Sequence, residues 1–180
     1  IQAAQELGLG APTGINLPGE RSGMLPYGSK NSNQYWKGDG TEITAVQAAV
    51  MVASIVTGKR VKPVIPSALD APIVTVSEVV NLPLDTLRDL IPGMKEAATK
   101  GTARVLGKTN PTLEAASKTG SCIDRSNRIH TWIGLNASVA PVGNPQYVVV
   151  VITHGQDERG RVASAIVNEV FKVLIPLAPK

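Results

Sequence analysis

The hydrophobic period of this chain changes after residue 112, and that change limits the folds open to it. Apolar and β-branched runs over 113–122, 129–137 and 147–153 are joined by short polar links containing Asn, Pro, Gly or Ser. That spacing predicts an antiparallel meander over 113–153. Residues 148–152 are continuously apolar, as in a central strand covered on both faces, so helices are expected against both sides of the sheet. One helix is available over 161–175, where Val162, Ala165, Ile166, Val170, Val173 and Leu174 form a stripe that Pro176 terminates. The fold class is therefore α/β, an antiparallel sheet flanked by helices.

Upstream, residues 1–40 are dense in Gly, Pro, Ser and Asn and read as an irregular segment. It opens on the tail of a helix that Gly8 ends. A helix over 44–58 has a clear start and stop. Thr44 and Gln47 fit a capping box, in which each side chain satisfies an unpaired backbone N–H, and Gly58 closes the helix. Almost no polar face lies between them, and the stretch is too short to span a bilayer, so a helix buried on all sides is expected. Residues 72–76 read as a short strand. Leu84, Leu87, Ile91, Met94 and Ala98 recur at helical spacing before Gly101, with Pro92 expected to kink or split that helix.

Composition removes several function classes. With 43% hydrophobic and 18% charged residues over 180 positions, the chain reads as one domain, 1–180, or part of one, and not as a disordered polymer. Aromatic residues are 3% and the net charge of +4 is scattered, which argues against nucleic acid. Cys122 is the lone cysteine and reads as a small buried residue; His130 and His154 lack ligand spacing and read as structural or exposed. Neither a metal nor a cofactor is expected, and no segment has the length of a membrane span.

Lys118-Thr119-Gly120-Ser121 sits on the first strand of the meander. Lys118 can offer charge to a carboxylate, Thr119 or Ser121 can donate a hydrogen bond to it, and Gly120 lets a substrate approach the strand backbone. Taken alone, the tetrapeptide equally fits a lysine that keeps a strand edge soluble.

Its context decides between these. Gly10-x-Pro12-Thr13-Gly14, Leu17-Pro18-Gly19-Glu20, Gly38-Asp39-Gly40 leading to Thr44-x-x-Gln47, Gly93-Met94 with Gly101-Thr102-Ala103, the Lys118–Ser121 motif and Trp132-x-Gly134 occur in this order. In that order they resemble class B penicillin-binding proteins, serine D,D-transpeptidases, over nearly the whole chain. The resemblance implies a β-lactamase/transpeptidase-like fold and an acyl-enzyme mechanism on D-Ala-D-Ala stem peptides of peptidoglycan. It implies β-lactam antibiotics as ligands and an inner-membrane parent with its catalytic domain outside the cytoplasm. In the carry-over, Lys118 keeps the groove electropositive, Thr119 and Ser121 contact the substrate carboxylate, Gly120 admits the substrate, and the Ser121 backbone N–H is one of two oxyanion donors.

The resemblance also implies what is missing. No Ser-x-x-Lys occurs at any serine, and Ser29-Lys30-Asn31 spells Ser-x-Asn on the wrong side of the Gly10–Gly14 motif. Nucleophile and partner lysine are expected on an N-terminal portion of the same domain, lost or supplied separately, without which this fold is incomplete and this chain inactive. Cys122, Ile123 and Asn16 depart from the family's usual residues. A pairing of Asp124 and His130 with Ser121 is set below a solvated loop over 122–128. The rival readings are a non-catalytic pseudo-enzyme or scaffold, a β-lactam sensor, and a serine β-lactamase.

Overall fold

The computed structural model describes residues 1–26, 38, 40–66, 76–124 and 131–177, in two compact units, Ile1–Pro83 and Leu84–Lys180. In the first unit a short helix, α1 (Gln2–Glu6), ends at Gly8, whose φ of +91° suits glycine. The next segment is irregular in backbone but tied by side chains. Glu20 accepts from the Thr13 N–H at 2.7 Å, the Thr13 hydroxyl at 2.5 Å and the Gly14 N–H at 2.9 Å. These bonds, the Thr13 hydroxyl first among them, hold the Glu20 carboxyl below its ordinary value.

The helix α2 (Ala45–Thr57) starts and stops where its caps require. The reciprocal Thr44–Gln47 bonds of 2.9 and 3.1 Å form the capping box, and Gly58 is left-handed. Its burial differs from the sequence expectation: Gln47, Ala48, Val50, Val52 and Ser54 are buried, while Val46, Met51, Ile55 and Val56 are only half-buried. The buried face thus includes two polar residues, and both are satisfied. Gln47 donates to the carbonyls of Ala11 and Ser22 at 2.8 and 2.7 Å, and Ser54 to that of Val50. Gln47 therefore staples two turns of the irregular segment onto the helix start.

A two-stranded antiparallel ribbon follows, β1 (Lys59–Val61) with β2 (Ser77–Val79). The strand expected over 72–76 falls outside the described residues except for Val76, which precedes β2. β1 gave no signal, being three residues long with two of them basic.

The second unit opens with α3 (Leu84–Thr99), which runs through Pro92 as one helix. Pro92 and the Arg88 carbonyl it cannot bond lie among exposed residues, where water can serve that carbonyl, so the helix is not split. Then come a short helix, α4 (Val105–Thr109), and three strands, β3 (Ala116–Asp124), β4 (Thr131–Ala140) and β5 (Tyr147–Gly155). The sheet order is β3-β4-β5, all antiparallel. The central strand is β4, so the continuously apolar run of β5 lies at an edge of the described sheet and not at its centre. Apolar periodicity reports which faces of a strand are covered; it does not report which edges are paired.

The last helix, α5 (Gly160–Leu174), lies across β4 and β5, and a 3-10 turn (Ile175–Leu177) follows it. Its buried face is Gly160, Ala163, Ser164, Val167, Asn168 and Phe171, not the expected aliphatic stripe. Of that stripe, Ile166 is 44% and Val173 65% exposed. Small and polar residues face inward because the helix approaches the sheet closely. A Cβ on Gly160 would lie 2.8 Å from the Gly120 carbonyl oxygen and 2.9 Å from Thr119 Cβ. The core gathers Ala98 of α3, Leu106 of α4, and Val167 and Phe171 of α5 around Ala140 and Val149. Every sheet residue in that cluster lies on one face. On the other face Ala116, Ala137 and Val139 are buried as well, while Leu135 and Val150 are half-buried and Ile152 is 48% exposed, so cover on the second face is partial.

Candidate active site

Strand alternation sorts the four residues of the Lys118–Ser121 motif. Lys118 and Gly120 share the face of Ala137, Leu135, Val150 and Ile152, while Thr119 and Ser121 share the face of Asn136 and Gly134, toward α5. β3 is an edge strand whose only strand partner among the described residues is β4. The outward N–H and C=O groups along Lys118–Ser121 thus have no second strand to bond there.

No described carboxylate neutralises Lys118; its Nζ donates to the Thr119 carbonyl at 2.6 Å. The Thr119 hydroxyl has no partner among the described residues. Ser121 Oγ accepts from the Gly160 N–H at 3.0 Å. Acceptance leaves the hydroxyl proton of Ser121 free to donate, and aims it from the first turn of α5.

Behind the motif runs a buried chain of hydrogen bonds that the sequence reading missed. Ser164 Oγ donates to the Gly160 carbonyl at 2.6 Å and accepts from Asn136 Nδ2 at 2.7 Å. Asn136 Nδ2 also reaches Ser117 Oγ at 3.1 Å, and Ser138 Oγ bonds Asn136 Oδ1 and Ser117 Oγ at 2.6 and 2.8 Å. All four side chains are fully buried. The one available signal was Asn136 and Ser138 interrupting an otherwise apolar strand.

The glycines divide by what they do. A Cβ on Gly134 would lie 2.5 and 2.6 Å from the Arg159 carbonyl carbon and oxygen, so its absence admits the backbone before α5. Arg159 then caps the Trp132 ring, with its guanidinium carbon 3.9 Å from the centroid. A Cβ on Gly120, by contrast, would meet only Leu135 at 3.6 Å, an ordinary contact, and Gly120 lacks a positive φ. The fold itself does not demand glycine there.

The remaining candidates are placed as follows. Cys122 is exposed, not buried as expected, because it lies near the free end of β3 beyond the helical core. His130 lies outside the described residues. Asp124 is held by His154, whose Nε2 lies 3.1 Å from Asp124 Oδ2 and 2.9 Å from Thr131 Oγ1, linking the ends of all three strands. Alternation puts Asp124 on the face opposite Ser121.

The β3 strand is thus an exposed edge bearing an unneutralised lysine and a free hydroxyl, braced by a helix on a three-stranded sheet. The chain matches the penicillin binding protein transpeptidase domain family over residues 2–172, and it belongs to that family. It is 27% identical to the peptidoglycan D,D-transpeptidase FtsI of Buchnera aphidicola (subspecies Schizaphis graminum) over 97% of this chain and 32% of that protein. The chain thus spans about a third of the length of that curated relative. Among solved structures, it is similar to penicillin-binding protein PBP2 of Helicobacter pylori, solved in complex with MreC, with a TM-score of 0.76 and 21% identity over 97% of this chain and 35% of that one. A PBP2 of Pseudomonas aeruginosa, solved in complex with WCK 5153, matches with a TM-score of 0.69 and 22% identity over 93% and 40% of the respective chains. The antiparallel sheet with its helices is thus the fold of known transpeptidase domains.

Proposed function

We propose that this chain supplies the Lys118–Ser121 wall of a serine D,D-transpeptidase that crosslinks D-Ala-D-Ala stem peptides of peptidoglycan. Gly120 carries the reading: packing leaves room for a side chain at this position, yet the strand keeps it bare where a substrate backbone would lie. Lys118 draws the terminal carboxylate, and the Thr119 hydroxyl and the free proton of Ser121 donate to it. The Ser121 backbone N–H is one of two donors to the oxyanion of the tetrahedral intermediate, a role in which a single donor contributes roughly 10²–10³ in rate.

The attacking serine comes from sequence outside these 180 residues, since none of the serines here begins Ser-x-x-Lys. It attacks the D-Ala-D-Ala carbonyl, D-Ala leaves, and an amine of a neighbouring stem peptide resolves the acyl-enzyme. β-Lactams acylate the same serine. By this reading the parent is an inner-membrane protein with this domain outside the cytoplasm. No helix of the described residues is long and apolar enough to cross a membrane.

The same absence of Ser-x-x-Lys favours a second reading, a non-catalytic scaffold. Labelling the native sample with a fluorescent penicillin, then separating its polypeptides on a denaturing gel, tests both. Label on a companion portion bearing Ser-x-x-Lys, weakened when Gly120 is replaced by Val, supports the transpeptidase wall. A companion with Ser-x-x-Lys that takes no label puts the scaffold ahead, and acylation indifferent to Gly120→Val removes the strand from the site.

A further inference from the structure

The buried polar cluster behind the motif joins the same elements that meet at Ser121. Asn136 of β4 gives one amide proton to Ser117 of β3 and the other to Ser164 of α5. Ser138 bonds both Asn136 Oδ1 and Ser117, and Ser164 passes its own proton to the Gly160 carbonyl. The amide supplies two protons and each serine hydroxyl one, so these five bonds use every proton the cluster holds. A buried network satisfied to this degree rigidifies the elements it joins. Packing alone does not call for it, because apolar groups of the same shape would seat a helix on a sheet at no greater cost.

Its members stand directly behind the wall. Ser117 precedes Lys118, Asn136 lies opposite Thr119 in the strand register, and Ser164 lies one helical turn after Gly160. Gly160 is the first residue of α5, where a backbone N–H has no intrahelical partner. That N–H finds Ser121 Oγ at 3.0 Å. Ser121 is exposed on an edge strand, and an unheld hydroxyl there would divide among three staggered wells of χ1. The Gly160 bond selects the well whose oxygen faces α5.

On the reading of Lys118–Ser121 as a wall for a peptide carboxylate, we propose that Asn136 and Ser164 are positioning residues for the Ser121 hydroxyl. Through them β4 holds the first turn of α5 against β3, and the Gly160 N–H keeps Ser121 Oγ in the rotamer from which it donates to that carboxylate. Both act through Gly160, without touching the substrate. Loss of the hold spreads the hydroxyl over three wells and weakens its contact about threefold. Loss of the hydroxyl itself weakens recognition about tenfold or more.

Two readouts on the whole domain, this chain with its Ser-x-x-Lys portion, test this. Hydrogen exchange of the Gly160 amide, followed by NMR, reports the bond to Ser121, its acceptor among the described residues. Exchange is expected to quicken about threefold or more in Ser121→Ala and in Ser164→Ala; alanine is a good helix former, so the latter keeps α5 intact. The rate of acylation by benzylpenicillin, divided by that of its methyl ester, isolates recognition of the carboxylate. This ratio is expected to fall about tenfold in Ser121→Ala and about threefold in Ser164→Ala or Asn136→Leu. Adding Ser164→Ala to Ser121→Ala lowers it no further. Val167→Ala loosens α5 through the core without touching the polar cluster and leaves the ratio as it was. An unchanged ratio or unchanged Gly160 exchange in Ser164→Ala, a further fall in the double variant, or an equal fall in Val167→Ala overturns the positioning role and leaves the wall standing. A wild-type domain that does not prefer the acid to the ester removes the wall itself, and the positioning role with it.

Discussion

Two glycines on adjacent strands of one sheet give opposite expectations under the same substitution. Alanine at Gly134 places a methyl 2.5 Å from the Arg159 carbonyl carbon and 2.6 Å from both the Arg159 oxygen and Thr153 Oγ1. Two of these atoms are backbone, so the start of α5 must move, and with it the Gly160 N–H that holds Ser121. Overpacking of this kind costs about 2–3 kcal/mol, a fall in Tm of roughly 10–20 °C for a unit of this size. At Gly120 the methyl meets Leu135 at 3.6 and 3.7 Å only. The Gly120→Ala change is then neutral, or stabilising by roughly 0.5 kcal/mol through the unfolded chain. Equilibrium unfolding in urea of both variants, with the slope checked for constancy, measures the difference. Equal losses at the two positions, or the larger loss at Gly120, would refute the assignment of Gly134 to packing and Gly120 to access.

Three further expectations concern polar ties. Asn136→Leu removes the amide's bonds to Ser117, Ser138 and Ser164, leaving Ser164 its bond to the Gly160 carbonyl and Ser138 its bond to Ser117, and destabilises by about 2–3 kcal/mol; a loss under about 0.5 kcal/mol in urea unfolding would show that the network contributes little. Thr44→Ala removes one cap bond and costs about 1 kcal/mol, whereas Gln47→Leu also frees the Ala11 and Ser22 carbonyls and costs more; the reverse ranking by thermal denaturation contradicts the staple. Glu20 has a folded pKa depressed below 4.5, so its contribution is present above that value and disappears as pH falls through the lower, folded one. Amide shifts of Thr13 and Gly14 followed by NMR report this titration below 4.5 and lose it in Glu20→Gln; a midpoint at or above 4.5 contradicts the loop tie.

What could be read from the residues was local or repeated. The Thr44–Gln47 capping box and the Gly58 stop depend on neighbours within one turn, and the three-stranded meander on runs of β-branched residues. The face of α5 could not be read this way. Its aliphatic stripe points outward at Ile166 and Val173 because the Asn136 bond and the Gly160 approach, both set by distant strands, turn Ser164 inward, and the Thr109 hydroxyl at the end of α4 bonds Asn168 there. Cys122 misled for a similar reason, since cysteine's general preference for burial carries no information about where β3 leaves the core. At the site, residue type alone picked out Lys118 through Ser121 as an anion-binding edge. The supports behind it, Gly134, Gly160 and Asn136, are a glycine or a polar residue in apolar surroundings, and their meaning appears only once three elements meet.

The position of β5 has a consequence for handling the protein. Residues 147–153 contain no charge, no proline and no glycine, and among the described residues their outer edge lacks a strand partner. Such a segment is a template for intermolecular β-pairing and for the dry, interlocked sheets of amyloid. Concentrating the chain therefore favours fibrils seeded at this edge, and a lysine at Val150 or Ile152, on the face away from α5, is the substitution that keeps it in solution.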